Sequence, residues 1–230
     1  MSEGTLESLR GRVLAEMDSW AEDFAGPLAT RFGTPAEKEI AAKARQGVEA
    51  LLPLMADPGW RAPMMRAFSI SGLVYVAMYL ALAERGCDPA GAWEVCEAAT
   101  RAHFARLSRL AKTMASAGMF SWPARAMARS VAERSRQAPV GGWTLEFVDG
   151  QPGGFDYGVD YTRCAIRDLA VSAGAAAFAP YICLADIAGS EAFGWGLVRN
   201  ETLAQGGTRC DFRFRRGHPT QVKVLLPVIR

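Results

Sequence analysis

Trp143-Thr-Leu-Glu-Phe-Val148 and Phe155-Asp-Tyr-Gly-Val-Asp-Tyr-Thr162 decide the fold class of this 230-residue chain. In both runs apolar and polar residues alternate, the period of a half-buried strand. Asp149-Gly150 and Pro152-Gly153-Gly154 lie between them and supply turn chemistry, so the pair reads as a β-hairpin. Ala138-Pro-Val-Gly-Gly142, just before it, marks a change of texture in the chain.

Downstream of the hairpin, helices are expected over Cys164–Ser172 and, after Ala179-Pro180, over about Tyr181–Phe193. Strand-like texture returns from Trp195 to Leu203. Gly206-Gly207 turns the chain, and Thr208, Cys210, Phe212 and Phe214 then alternate with Arg209, Asp211, Arg213 and Arg215. Residues 138–230 thus read as β-β-α-α-β-β, a small antiparallel sheet packed by helices.

Residues 1–137 read as helices. Leu6, Leu9, Val13, Leu14 and Met17 recur at helical spacing. Thr34-Pro-Ala-Glu37 is a start signal: Thr34 to cap, Pro35 at the first helical position, Glu37 for a capping box, with the helix running to about Pro53. A third helix is expected over Met64–Arg85 with Gly86 after its end. Asp88-Pro89 begins a fourth, carrying Trp93, Cys96, Ala99, His103, Leu107 and Leu110 along one side and ending near Gly118. A basic helix over Pro123–Gln137 closes the half. The fold class is therefore α+β, a helical subdomain (1–137) on an α+β subdomain (138–230) that carries the chemistry.

Composition bounds the function. Half the residues are apolar, 22% are charged and the net charge is +2, which offers no electrostatic reason for a nucleic-acid partner. The start, MSEGTLESLRGRVLAEMDSW, has no basic n-region and no apolar core of a secretory signal, so a cytoplasmic location is expected. Ala67–Ala83 is uncharged over 17 residues, at the lower limit of a membrane span. Its serines, glycine and tyrosines, closely bracketed by Arg66 and Glu84, point to a buried central helix, and no membrane partner is expected. The five cysteines (87, 96, 164, 183, 210) are an odd number without a CxxC pair, so reduced thiols are the default. Two histidines exclude a His-rich metal site. His103, on an apolar helix face, reads as a packed residue, and His218 as part of a loop.

Cys164 follows a strand, Cys183 sits on a helix with Asp186 three residues on, and Cys210 lies in the last alternating run beside Asp211. If Cys210, Phe212 and Phe214 face inward, Asp211 and Arg213 face the other way. Free cysteines are commonly core residues, and Cys87 and Cys96 read as such.

The blocks Asp160-Tyr-Thr-Arg-Cys164, Cys183-Leu-Ala-Asp186, Glu191-Ala-Phe193, Thr202-Leu-Ala-Gln-Gly-Gly207 and Cys210-Asp-Phe-Arg-Phe214, in this order over about residues 140–216, resemble the L-2-amino-thiazoline-4-carboxylic acid hydrolase family. The resemblance implies hydrolytic opening of a small cyclic amidine-like ring, giving an N-carbamoyl amino acid. Its implied catalytic set is Cys164, Cys183, Cys210, Asp186 and Asp211, with Arg163, Arg213, Tyr161 and Glu191 binding substrate. A thiolate activated by neighbouring Arg163 or Arg209 could attack, or an aspartate could act as a general base on water. No cofactor is expected. Zinc on the three thiolates and an aspartate is an alternative, although separations of 19 and 27 residues match no compact zinc motif. A non-catalytic binder, holding a small molecule against Trp143, Phe155, Tyr157, Tyr161, Trp195, Phe212 and Phe214, is the other. The partner is a small molecule, with homo-oligomerisation left open.

Overall fold

The computed structural model describes residues 3–57 and 62–224, with side chains from residue 9 onward. The first helix, α1, runs over Glu3–Phe32. Leu9, Val13, Met17, Trp20, Phe24 and Leu28 recur every three or four residues and are all buried, an apolar stripe facing the core. The Leu6 side chain lies outside the described residues. Gly33 ends α1 with a φ of 84°, donating to the Ala29 carbonyl at 2.9 Å, and α2 (Thr34–Leu51) begins at the next residue. Thr34 is therefore already helical and does not cap. Gly33 occupies the cap position, where no side chain satisfies the first N–H groups.

The third helix, α3 (Pro63–Ala83), buries twelve residues and touches α1, α2, α4 and α7. It is long and apolar enough to cross a membrane, but it is packed inside the protein as the central helix. Gly86 follows its end with a φ of 78°. Asp88 caps α4 (Pro89–Arg106) by accepting from the Gly91 N–H at 2.7 Å. The expected fourth helix does not continue to Gly118. Ser108 accepts from the Ala111 N–H at 3.1 Å and caps a separate helix, α5 (Arg109–Met119), so the chain breaks at Leu107. After α5, Ser121 caps α6 (Trp122–Ser135).

Strands β1 (Thr144–Asp149) and β2 (Tyr157–Arg163) form the expected antiparallel hairpin. Helix α7 (Ala165–Ser172) follows. The next expected helix is split into α8 (Ala179–Ile182) and α9 (Ala185–Phe193), the latter ended by Gly194 in the left-handed region. Strand β3 shortens to Leu197–Arg199, because Asp211 accepts from the Asn200 and Glu201 N–H groups, both at 2.8 Å, and Thr202 caps a 3-10 turn over Leu203–Gln205. Strand β4 (Cys210–Phe214) lies between β2 and β3, antiparallel to both. A two-residue strand, β5 (Gln221–Val222), adds parallel to β3, so the sheet is mixed, with order β1-β2-β4-β3-β5. That short return after Gly217 carries no alternating signal of its own.

Two hydrophobic cores form. One holds α1 to α4 together with α7 and α8; the other lies between the sheet, α6 and the start of α3. Ile166 on α7 packs against both. A Cβ at Gly72 of α3 would meet Ile166 carbons at 2.6, 2.9 and 3.0 Å, so α7 sits on α3 because residue 72 has no side chain. The Trp143 indole N–H, donating to the Ser69 hydroxyl at 2.8 Å, ties the chain entering β1 to the same helix. Gly72→Ala should therefore cost about 1–3 kcal/mol in urea unfolding, the range for overpacking a filled core. A wild-type midpoint would show that the α3–α7 contact tolerates a methyl group.

Candidate active site

The inner face of the sheet is fixed by register. Tyr161 lies opposite Cys210, Val159 opposite Phe212, Tyr157 opposite Phe214, and Phe214 opposite Leu197. Two residues beyond Leu197 on the same strand, Arg199 shares that face. Its side chain is 1% exposed. One guanidinium nitrogen contacts an Asp186 carboxylate oxygen at 2.5 Å and the other donates to the Cys183 carbonyl at 3.0 Å. Its Cζ lies 5.2 Å from the centre of the Phe212 ring, and its Nε has no hydrogen-bond partner among the described residues.

Three sulfurs gather around this pair, each placed by a chain break. Cys164 caps α7, its Sγ accepting from the Arg167 N–H at 3.5 Å. Cys183 sits at the corner between α8 and α9, its thiol donating to the Ala179 carbonyl at 3.7 Å. Cys210 starts β4 and accepts from the Leu203 N–H at 3.3 Å. The three thiols and Asp186 lie within electrostatic reach of one another, and Tyr161 feels Asp186, Cys164 and Cys210. Among the described residues, no three His, Cys, Asp or Glu side chains are placed to enclose a metal ion.

The environment sets the protonation states. Burial pushes the Cys164 thiol up to about 12, against the opposing backbone hydrogen bond from Arg167. It pushes Cys210 up to about 11, opposed by the Leu203 N–H and Arg199. Cys183 is raised by burial too, with Arg199 opposing. Asp186 is raised by burial and pulled back by Arg199. Yet the Asp186 side chain keeps 37% of its accessible surface. The Asp186 carboxylate thus feels desolvation while its side chain keeps contact with solvent.

The remaining residues singled out from sequence lie elsewhere. Asp211 accepts from the Asn200 and Glu201 backbone and from the Asn200 side chain at 3.1 Å, closing the β3–β4 connection on the outer face. Arg213, on that face as well, contacts buried Asp160 at 2.6 Å. Arg163 donates to the Gly142 and Ala138 carbonyls, both at 2.9 Å, and holds the loop before β1. Glu191 pairs with Arg101 at 2.9 Å on the surface. In a separate cleft of about 140 Å³, lined by Met65, Val131, Ser135, Trp143 and Leu145, the Ser135 hydroxyl donates to the Ala132 carbonyl at 2.7 Å and accepts from the Leu145 N–H at 3.0 Å, and Asp57 is bound by Arg66 at 2.8 Å.

The model of the L-2-amino-thiazoline-4-carboxylic acid hydrolase family matches residues 67–214, from the first turns of α3 to the end of β4. The chain belongs to that family. No curated protein and no solved structure matches it. The hydrolase family match takes in the whole thiol cluster, and also the helical segment in which no motif is visible.

Arg199 is the member of this cluster that the sequence reading misses. Its signal lies in Leu197-Val198-Arg199, where strand parity puts the arginine on the side of a buried leucine. With all three thiols raised above their ordinary value, their thiolate fractions at neutral pH are small. Iodoacetamide should label Cys164 and Cys210 at pH 7 at least about a hundredfold more slowly than a free thiol, with the rate climbing about tenfold per pH unit toward 11. Mass-spectrometric labelling kinetics would check this. Rapid labelling of either at pH 7 would show that these sulfurs rest as thiolates.

Proposed function

We propose that this chain hydrolyses a small cyclic amidine or thiazoline, an L-2-amino-thiazoline-4-carboxylate-like compound, in the hollow formed by Cys164, Cys183, Cys210, Asp186 and Tyr161. The observation that carries this reading is the solvent-reachable Asp186 carboxylate, held by Arg199 amid three thiols, within a chain of a hydrolase family.

The chemistry follows from the protonation states. Neutral thiols are poor resting nucleophiles, so Asp186 is the base that can act first. It takes a proton from water as the oxygen adds to the ring carbon between sulfur and nitrogen, and the electron pair of the carbon–nitrogen double bond moves onto the ring nitrogen. The carbon–sulfur bond then breaks as the carbonyl forms, the hydroxyl proton passes to the ring nitrogen, and the proton held by Asp186 passes to the leaving sulfur. One water is consumed, the exocyclic nitrogen is kept, and the product is an N-carbamoyl amino acid bearing a free thiol. A raised carboxyl suits both steps, being a stronger base than a surface aspartate and still able to return the proton. Arg199 positions Asp186, while the thiols offer the ring sulfur a soft, apolar wall. No step invokes a cofactor. A variant of the same scheme uses one cysteine as the nucleophile, with Asp186 taking its proton.

The test is turnover of a panel of cyclic amidines and thiazolines by the wild type beside Asp186→Asn, Cys164→Ser, Cys183→Ser and Cys210→Ser. Asp186→Asn should lower kcat/KM by about a hundredfold or more. Because the base must be unprotonated, wild-type activity should fall as the pH drops through the Asp186 pKa, at a pH above the usual carboxylate range. Full activity in all four variants would exclude this hollow as the reaction site. Binding of a panel compound without turnover would instead make the hollow a small-molecule receptor, for which inert thiols are equally suited.

A further inference from the structure

Helix α5 carries its apolar side outward. Among its described residues Ser116 is the buried one, while Leu110 is 70% and Met114 66% exposed. Leu110, Met114 and Ala117 lie at i, i+4 and i+7, a single face, and Leu107 precedes them one turn earlier. The turn into α6 adds Trp122, 78% exposed. Large apolar side chains contiguous on one outward surface mark an interaction site more often than chance.

The charge of this region differs from that of the chain. Residues 106–136 contain seven basic residues and one acidic residue, whereas the whole chain is +2, so the rest is net acidic. Arg106, Arg125 and Arg129 are met by Asp23, Asp156 and Asp149. Arg109 and Lys112, which bracket Leu110, and Arg136 make no ion pair among the described residues. Arg216 stacks over Phe120 at the α5–α6 corner, 6.0 Å from its ring centre, and adds a further exposed cation.

We propose that the outward face of α5, with Trp122, docks on an anionic lipid membrane. Three features select this occupant. The surface is the outward side of a helix, with Leu110 and Met114 standing exposed on it. It joins leucine, methionine and tryptophan to lysine and arginine, the composition of a helix lying in a lipid interface. A second copy meeting this face across a two-fold axis would set basic residues against basic residues. The whole-chain charge conceals the patch, which is why a membrane partner is not expected from composition. This docking face is separate from the thiol hollow and its reaction.

The experiment is co-sedimentation of the full chain with vesicles of phosphatidylcholine containing about one-third phosphatidylserine, and with phosphatidylcholine alone, across a salt series. Binding to the anionic vesicles should be about tenfold stronger or more and should weaken with salt. Leu110→Ser/Met114→Ser and Arg109→Gln/Lys112→Gln should each reduce it about tenfold, with unchanged circular dichroism melts showing that the fold survives. Trp122→Phe should remove part of the vesicle-induced blue shift in tryptophan emission. Absence of binding to the anionic vesicles, equal binding to neutral ones, or binding that both double variants leave intact would each overturn the proposal. So would a dimer, seen by light scattering, that Leu110→Ser/Met114→Ser dissociates in a chain that ignores lipid.

Discussion

Burying a guanidinium away from water costs several kcal/mol unless its hydrogen bonds and charge are answered. Arg199 is answered by three separate elements: the Asp186 carboxylate in the first turn of α9, the Cys183 carbonyl at the α8–α9 corner, and the Phe212 ring of β4. The short strand β3, which presents Arg199, has three residues and could not fix that side chain by its ladder alone. The ion pair does so by drawing α9 onto the inner face of the sheet. The carbonyl bond fixes the backbone of Cys183, and the ring contact orients β4, whose first residue is Cys210. The positions of two of the three sulfurs thus depend on how one cation is solvated.

The same cation limits the charge that the thiol cluster can carry. Arg199 and Asp186 together are neutral. A thiolate formed at any of the three cysteines would be a second negative charge beside Asp186, and neighbouring sulfurs would raise its cost further. Burial is nevertheless the largest cause for each thiol, so moving one negative neighbour away would not create a resting thiolate. Asp186 differs because its counter-charge is in direct contact and its surface stays open. In the proposed reaction, an arrangement that keeps sulfurs protonated while holding one accessible carboxylate favours proton transfer to and from water over attack by sulfur.

Much of this is legible where a local rule controls the outcome. The alternation in Cys210–Phe214 separates the thiol and aromatics from Asp211 and Arg213, and the ladder places them on opposite faces as parity requires. Grouping Asp211 and Arg213 with the cysteines follows the family blocks against that parity, and their hydrogen bonds to Asn200, Glu201 and Asp160 give the outer face its own role. Arg163 is not legible, because its partners are carbonyls of a loop about twenty residues earlier, set by tertiary closure. Helix ends are least legible where a single residue decides them. Gly33 takes both the end of α1 and the cap of α2, and Ser108 breaks a periodic apolar face that otherwise runs through Leu110. Both are weak signals in sequence and decisive ones in hydrogen bonding.

The helical half shows why a region can belong to a family and still display no motif. The family match opens at residue 67, within α3, well before the cysteines. What α3 contributes to the site is an absence: Gly72 leaves room for Ile166, and Ile166 stands two residues after Cys164, so the depth at which α7 docks sets where its capping sulfur lies. Around that point α3 needs apolar residues of suitable size on every side, a constraint that many sequences meet. Ser69 adds a polar anchor for Trp143, and hence for the entry to β1, without drawing notice in a long apolar run. Chemistry concentrates its residue requirements at a few positions and so leaves blocks that can be recognised. Packing spreads its requirements over a surface, and leaves a length, a hydropathy and one glycine.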